Sequence, residues 1–226
     1  MRKSFASCGA VGLIAIAVPA RAQDTDTQIW TQQNATIPVE GPFGVSLDFT
    51  QRFGDEAGGM YESVEGFFLT FKASDAVTIG AGYSHTTGFR AGPNTQEDRP
   101  RQQISLKLGH FGGRWRLEER MRSDGNGLGM RTRLQLRWAQ PFHKGGDLQW
   151  VAYHESFVSL NDTDWGQKSG YNRMRNFVGL HAPLIGPVEI EAGYLNQYDF
   201  KPGRDAMANV ALVSLSVGFH TLFSGD

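Results

Sequence analysis

The chain has 226 residues, with 22 Lys and Arg against 23 Asp and Glu, for a formal charge of −1. That balance offers nucleic acid no basic surface, and the single cysteine, Cys8, excludes a disulfide framework and a multi-thiolate metal site. Aromatic residues reach 12% although mean hydropathy is negative, so the rings must serve something other than one large oily core.

Arg2 and Lys3 precede an apolar run at 9–20, followed by Ala20-Arg21-Ala22. This is the layout of a cleaved secretory signal peptide, predicted over 1–22. A run of twelve residues is too short for a membrane helix, which needs about 20. Removing Arg2, Lys3 and Arg21 and no acid takes the formal charge from −1 to −4. Cys8 lies before the apolar run, where a lipid-modified cysteine would follow it, so the exported chain is expected to carry no lipid anchor and no thiol.

Residues 23–40 read as a lead segment or an extra strand, and 41–226 as the folded body. Period-two alternation dominates that body. Phe43, Val45, Leu47, Phe49 and Phe53 share one face of 43–53, with Ser46, Asp48, Thr50 and Arg52 on the other. Similar runs follow at 66–72, 77–84, 103–111, 114–123, 130–140, 148–158, 172–182, 188–198 and 207–223. Strict alternation predicts strands with one apolar and one polar face. Many of these runs match the ~9–11 residues that a tilted strand needs to cross a bilayer.

The connections at 73–75, 111–113, 141–147 and 184–187 are short, and those at 87–100, 124–129, 160–170 and 200–206 are mostly longer and more polar. Trp115, Trp138 and Trp150 fall beside short turns, as an interfacial girdle requires. Together these features predict an all-β fold: an antiparallel transmembrane barrel in the outer membrane of a Gram-negative bacterium, its short turns in the periplasm. Bacterial barrels have even strand numbers. The ten runs satisfy that, twelve being the alternative, and the segment 29–38 would make eleven. The closing stretch 216–223, ending at Phe223, partly matches the C-terminal signal by which the barrel assembly machinery recognises such proteins.

The stretch "RWRLEERMRS" carries the interior chemistry. Arg114, Arg116, Glu118, Arg120 and Arg122 share one face, while Trp115, Leu117 and Met121 share the other with Glu119. In a barrel the charged face meets the lumen, since Arg or Lys on the lipid face near the midplane costs about 2–4 kcal/mol. Glu119 breaks the pattern and is expected near an interface or a bulge. Arg131, Arg133 and Arg137 repeat the charged face on the next run, and Arg173 and Arg175 add to it. Pairing across "DGNGLG" is expected to set Arg120 near Arg133 and Glu118 near Gln135, leaving the arginines to find acids among Asp48, Glu155, Glu189 and Glu191. The predicted result is a crossed Arg–Glu network that plugs much of a narrow lumen, with an anion-attracting path as the functional alternative.

"RWRLEERMRSDGNGLGMRTRLQLRW", "YHESF", "NRMRNFVGLHAPL" and "VEIEAGYLNQY", in that order, resemble the bacterial family catalogued as domain of unknown function 2490. The resemblance runs from about Ile29 to the last strand. Its Arg-x-Glu-x-Arg run matches Arg116, Glu118 and Arg120, its acidic strand motif Glu155, and its Arg-rich ninth run Arg173 and Arg175. It implies an outer-membrane barrel with no established activity.

His154 and Ser156 in "YHESF" are two apart and share a strand face, as in outer-membrane lipid A deacylases that pair His-x-Ser with a Glu. The runs at 130–140 and 172–182 supply no acid to orient the histidine, and Glu155 points the other way. The expectation is therefore a non-enzymatic barrel, with a lipid-modifying hydrolase as the alternative, and a soluble periplasmic lipocalin-like barrel as a further one. No cofactor and no metal are expected, because the six histidines lie on separate runs. The expected partners are outer-membrane lipid, lipopolysaccharide and the assembly machinery.

Overall fold

The computed structural model describes residues 24–89 and 92–219. Eleven strands follow one another: β1 (Asp24–Pro38), β2 (Phe43–Gly54), β3 (Gly59–Lys72), β4 (Val77–Gly88), β5 (Thr95–Leu108), β6 (Phe111–Arg122), β7 (Gly129–Pro141), β8 (Gln149–Ser159), β9 (Gly170–Ile185), β10 (Val188–Asp199) and β11 (Ala206–Gly218). Consecutive strands pair antiparallel, and β1 closes the barrel by pairing in parallel with β11. The predicted signal at 1–22 and Phe223 lie outside the described residues.

The eleventh strand corrects the count of ten. Residues 24–38 form a full wall strand, paired with β2 from Gln28↔Gly54 to Pro38↔Gly44 and with β11 from Asp24↔Ala206 to Thr36↔Gly218. Its few apolar residues are split between the two faces, which hides it in the sequence. Trp30 points inward and is fully buried, while the outward positions include Thr27, Thr31 and Gln33. Thr31 Oγ1 lies 3.4 Å from Gln51 Oε1 of β2. An odd count forces one parallel seam, so β1 starts at one rim and β11 ends at the other.

Two boundaries also move. The segment 87–100 is mostly strand, since β5 begins at Thr95 and carries Pro100 within it. Proline has no N–H to donate, and the β5–β6 ladder skips Arg99 and Pro100 before resuming at Arg101↔Glu118. The turn expected at 111–113 is instead Gly109-His110, with Gly109 at φ 59° in the left-handed region that glycine adopts without strain. Turns at 39–42, 73–76, 109–110, 142–148 and 186–187 occupy one rim, and residues 55–58, 92–94, 123–128, 160–169 and 200–205 the other.

The wall presents large apolar side chains outward, among them Leu69, Ile104, Leu106, Leu134, Leu136 and Val178. Aromatic rings collect at the short-turn rim, where Phe43 meets Phe71 at 5.3 Å, Phe142 stacks on Trp150 at 4.8 Å, and Phe111 faces Trp138. Tyr171, Tyr198 and Phe200 cluster at the opposite rim. Inside, Trp30, Val151, Phe177, Leu195, Ala208, Val210 and Leu212 pack one side of the lumen into an apolar core. The other side holds charge. The apolar cluster rests on β1 and β8–β11, whereas the charge covers much of the remaining wall and also reaches β8, β9 and β10 through Glu155, Arg175 and Glu191.

Candidate functional site

The charged half is a lattice in which each buried acid serves more than one arginine. Glu118 is almost fully buried and sits directly opposite Arg131. Its Oε2 accepts from Arg131 Nε at 2.8 Å and its Oε1 from Arg133 Nη1 at 2.8 Å. The register expected across "DGNGLG" is thus corrected by four residues: Glu118 pairs with Arg131, Arg116 with Arg133, Arg114 with Gln135, and Arg120 with Gly129. The six residues 123–128 take the chain from β6 to β7 in this register.

Arg133 is the bridge. It also donates from Nη2 to Glu155 Oε1 at 2.8 Å, and Glu155 accepts from Arg114 at 2.8 Å, with Arg175 at 3.8 Å. Guanidinium forks are suited to such sharing, because five fixed donors can reach two carboxylates at once. Four arginines, Arg131, Arg133, Arg173 and Arg175, also pack against the ring of Phe157, with centroid distances from 4.6 to 5.9 Å. The ring face offers these cations negative potential where no further acid fits.

The remaining predicted residues distribute as follows. Arg116 donates to Gln103 Oε1 at 2.6 and 3.0 Å and lies 3.9 Å from Glu118. Arg120 donates to Glu97 and to Gln167, and Arg122 to Asp124. Arg137 pairs across the lumen with Glu191 of β10, and Arg173 pairs with Asp199. Glu189 is half-exposed, 3.9 Å from His181. All fourteen charged residues assigned to the lumen from the sequence, Asp48 among them, line one interior cavity of about 1700 Å³.

Sequence reasoning missed Glu97, Arg99 and Arg101, which sit in phase on β5, and the pair Arg52–Glu62. Arg101 crosses to Asp48 at 3.0 Å and also donates to the Tyr83 carbonyl at 2.9 Å. It passes directly over Gly66, where a Cβ would collide with the guanidinium. The signal existed in the spacing of Glu97, Arg99, Arg101 and Gln103, but Pro100 and the flanking turn-type residues masked it. Gly66→Val is expected to expel Arg101 from Asp48 and lower the unfolding temperature of the barrel, whereas Gly112→Val, where a Cβ meets no atom closer than 3.6 Å, leaves it near wild type.

One rim of the cavity is capped by two connections clamped together. Trp165 donates from Nε1 to the Gly127 carbonyl at 2.6 Å and stacks under Arg120 and Arg122. Asp164 accepts from the backbone N–H groups of Asn126 and Gly127 at 2.9 and 3.0 Å. Those two donors hold the Asp164 carboxyl below the usual carboxylate range. A carboxylate whose folded-state value is depressed contributes fully above its unfolded value and loses that contribution as pH falls through the folded one. Amide exchange protection at Asn126 and Gly127 should therefore hold at neutral pH and through the ordinary aspartate range. It should then fall selectively at still lower pH, and Asp164→Asn should lower it at every pH.

A family model described as a protein of unknown function, DUF2490, matches residues 27–208. A protein of Methylorubrum extorquens, described only as uncharacterized, is 35% identical over 193 residues, covering 82% of this chain and 84% of its own. No solved structure matches the chain.

Proposed function

This chain belongs to the DUF2490 family, and from its barrel geometry we propose that it is an outer-membrane barrel braced across its lumen by the Arg–Glu lattice. The observation that supports this most is the inverted distribution of side chains: leucines, isoleucines and tryptophans stand outward and exposed, while the arginines and glutamates are inside. In water such a wall would expose apolar surface far beyond the few hundred Å² that a soluble monomer tolerates. Acyl chains remove that cost, and rings at both rims suit the two headgroup layers. The partners that follow from this reading are outer-membrane lipid, lipopolysaccharide and the assembly machinery that inserts barrels. Detergent-dependent extraction from the membrane fraction, with a folded band that migrates apart from the boiled one, is the expected result. Recovery in the soluble periplasmic fraction would contradict it.

A second reading has its own support. Fourteen Arg and Lys against ten Asp and Glu line the cavity, and Arg116 and Arg175 have their shortest side-chain hydrogen bonds to the amides of Gln103 and Gln197, not to carboxylates. An excess of positive charge between low-dielectric walls draws anions. In planar bilayers the barrel is expected to give a small conductance with reversal potentials favouring chloride over potassium. Arg116→Gln with Arg175→Gln should shift that preference toward the cation. Silence from correctly folded protein would leave the lattice a brace alone.

A further inference from the structure

The outward face of β8 carries a polar arrangement that the barrel's architecture does not need. His154 and Ser156, two residues apart, point away from the lumen, and His154 Nε2 lies 2.9 Å from Ser156 Oγ. The other ring nitrogen, Nδ1, lies 2.7 Å from Oδ1 of Asn176 on β9, the residue directly opposite in the ladder. An amide oxygen can only accept, so Nδ1 carries the proton and Nε2 is free to accept from the serine hydroxyl. This is the order of a nucleophile, a base and a group that fixes the base's tautomer. The orienting group is an amide, which is why a search for acids on the neighbouring strands finds none.

A fourth group is brought to the same spot by a distortion of the sheet. The β8–β9 register shifts between Phe157 and Val158, so that Tyr171 faces Val158 while Arg173 faces Phe157. On β9 the inward residues Arg173, Arg175 and Phe177 are odd-numbered, and the extra residue, Asn172, turns the odd-numbered Tyr171 outward. Its hydroxyl comes within 3.3 Å of Ser156 Oγ. Bulges re-aim side chains in this way beside active sites. Leu134 and Leu136 of β7 lie opposite Ser156 and His154, and both are exposed. They form an apolar wall along which an acyl chain can lie.

We propose that Ser156, His154 and Asn176 form a serine esterase site on the lipid-facing wall, acting on the acyl ester of a membrane lipid. Ser156 Oγ attacks the ester carbonyl carbon as its proton passes to His154 Nε2. The tetrahedral adduct, its oxyanion within reach of the Tyr171 hydroxyl, collapses with cleavage of the carbon–oxygen ester bond. The departing alcohol takes the proton from His154 and leaves an acyl ester on Ser156. Water then attacks that ester, giving its proton to His154. Collapse releases the fatty acid and returns the proton to Ser156, so that ester and water become acid and alcohol. Asn176 is a positioning residue throughout.

The site's substrate class rests on the membrane reading, but its reactivity does not, and the test separates them. Barrel purified in detergent, in its folded heat-modifiable form, is treated with a fluorophosphonate probe, then offered in mixed micelles either a glycerophospholipid or an acylated glucosamine disaccharide. The expected result is a covalent adduct on Ser156, lost in Ser156→Ala and His154→Ala, with fatty acid released from one lipid. His154→Ala should slow release by about 10²–10⁴-fold. Asn176→Ala should lower kcat at nearly unchanged KM, with Asn176→Asp recovering most of it, a pattern that a merely structural hydrogen bond would not give. Tyr171→Phe should lower kcat while leaving probe labelling intact. Labelling without release from either lipid would retain the esterase site and overturn the lipid assignment. Folded protein that takes no probe at Ser156 and releases no acid overturns the proposal.

Discussion

Replacing Glu155 by glutamine should destabilise the barrel by about 3–5 kcal/mol, the range for removing one partner from a buried ion pair. The change is isosteric, so the loss is electrostatic. Glu155 is 2% exposed and stands among Arg114, Arg133 and Arg175. An amide there neutralises none of the three and presents one of them with a donor in place of an acceptor. Arg133 would still reach Glu118, but Arg114 would lose its carboxylate. Denaturant midpoints of the folded band, read by gel mobility in detergent, measure the effect. Adding Arg114→Met should recover part of the loss, because a buried charge left unpaired costs more than an apolar side chain of similar length. A change below about 1 kcal/mol would mean that water screens the lattice as it screens a surface pair.

Replacing Val178 by arginine should cost about 2–4 kcal/mol, the depth-dependent cost of a cation on the lipid face near the midplane. Val178 lies midway along the sixteen-residue β9, points outward opposite Tyr194 and Ala152, and is 49% exposed. On a water-facing wall the same substitution would fall within about 0.5 kcal/mol of wild type, as exposed substitutions do. The two environments thus give different answers at one residue. Val178→Leu serves as the control and should be near neutral in lipid.

The fold is readable wherever alternation coincides with an apolar outward face. β6 and β7 announce themselves because Trp115, Leu134, Leu136 and Trp138 alternate with arginines. β1 does not, because its largest apolar residue, Trp30, belongs to the interior, and its outward face sets Ile29 among threonines and a glutamine. The N-terminal part of β5 was obscured because Pro100 and its neighbours have turn chemistry, although the ladder with β4 carries straight through Tyr83↔Pro100. Register is a further limit. Alternation fixes which face Glu118 takes, but a shift of four residues preserves that face and changes its partner from Gln135 to Arg131. The apolar half of the interior was illegible for a related reason, since a leucine facing inward from β10 and one facing outward from β7 look alike in a string of letters. The Ser156–His154 pair was visible as His-x-Ser. Asn176 was not, because only the β8–β9 register brings it opposite His154.

The most direct test of the account is a spin-label scan along β7, one position at a time from Thr132 to Trp138, in protein reconstituted into bilayers. Accessibility to oxygen, which partitions into acyl chains, should rise at 132, 134, 136 and 138 and fall at 133, 135 and 137. Labels at Leu134 and Leu136 that collide instead with a water-soluble nickel chelate, or with neither reagent, would contradict a wall whose greasy side meets lipid.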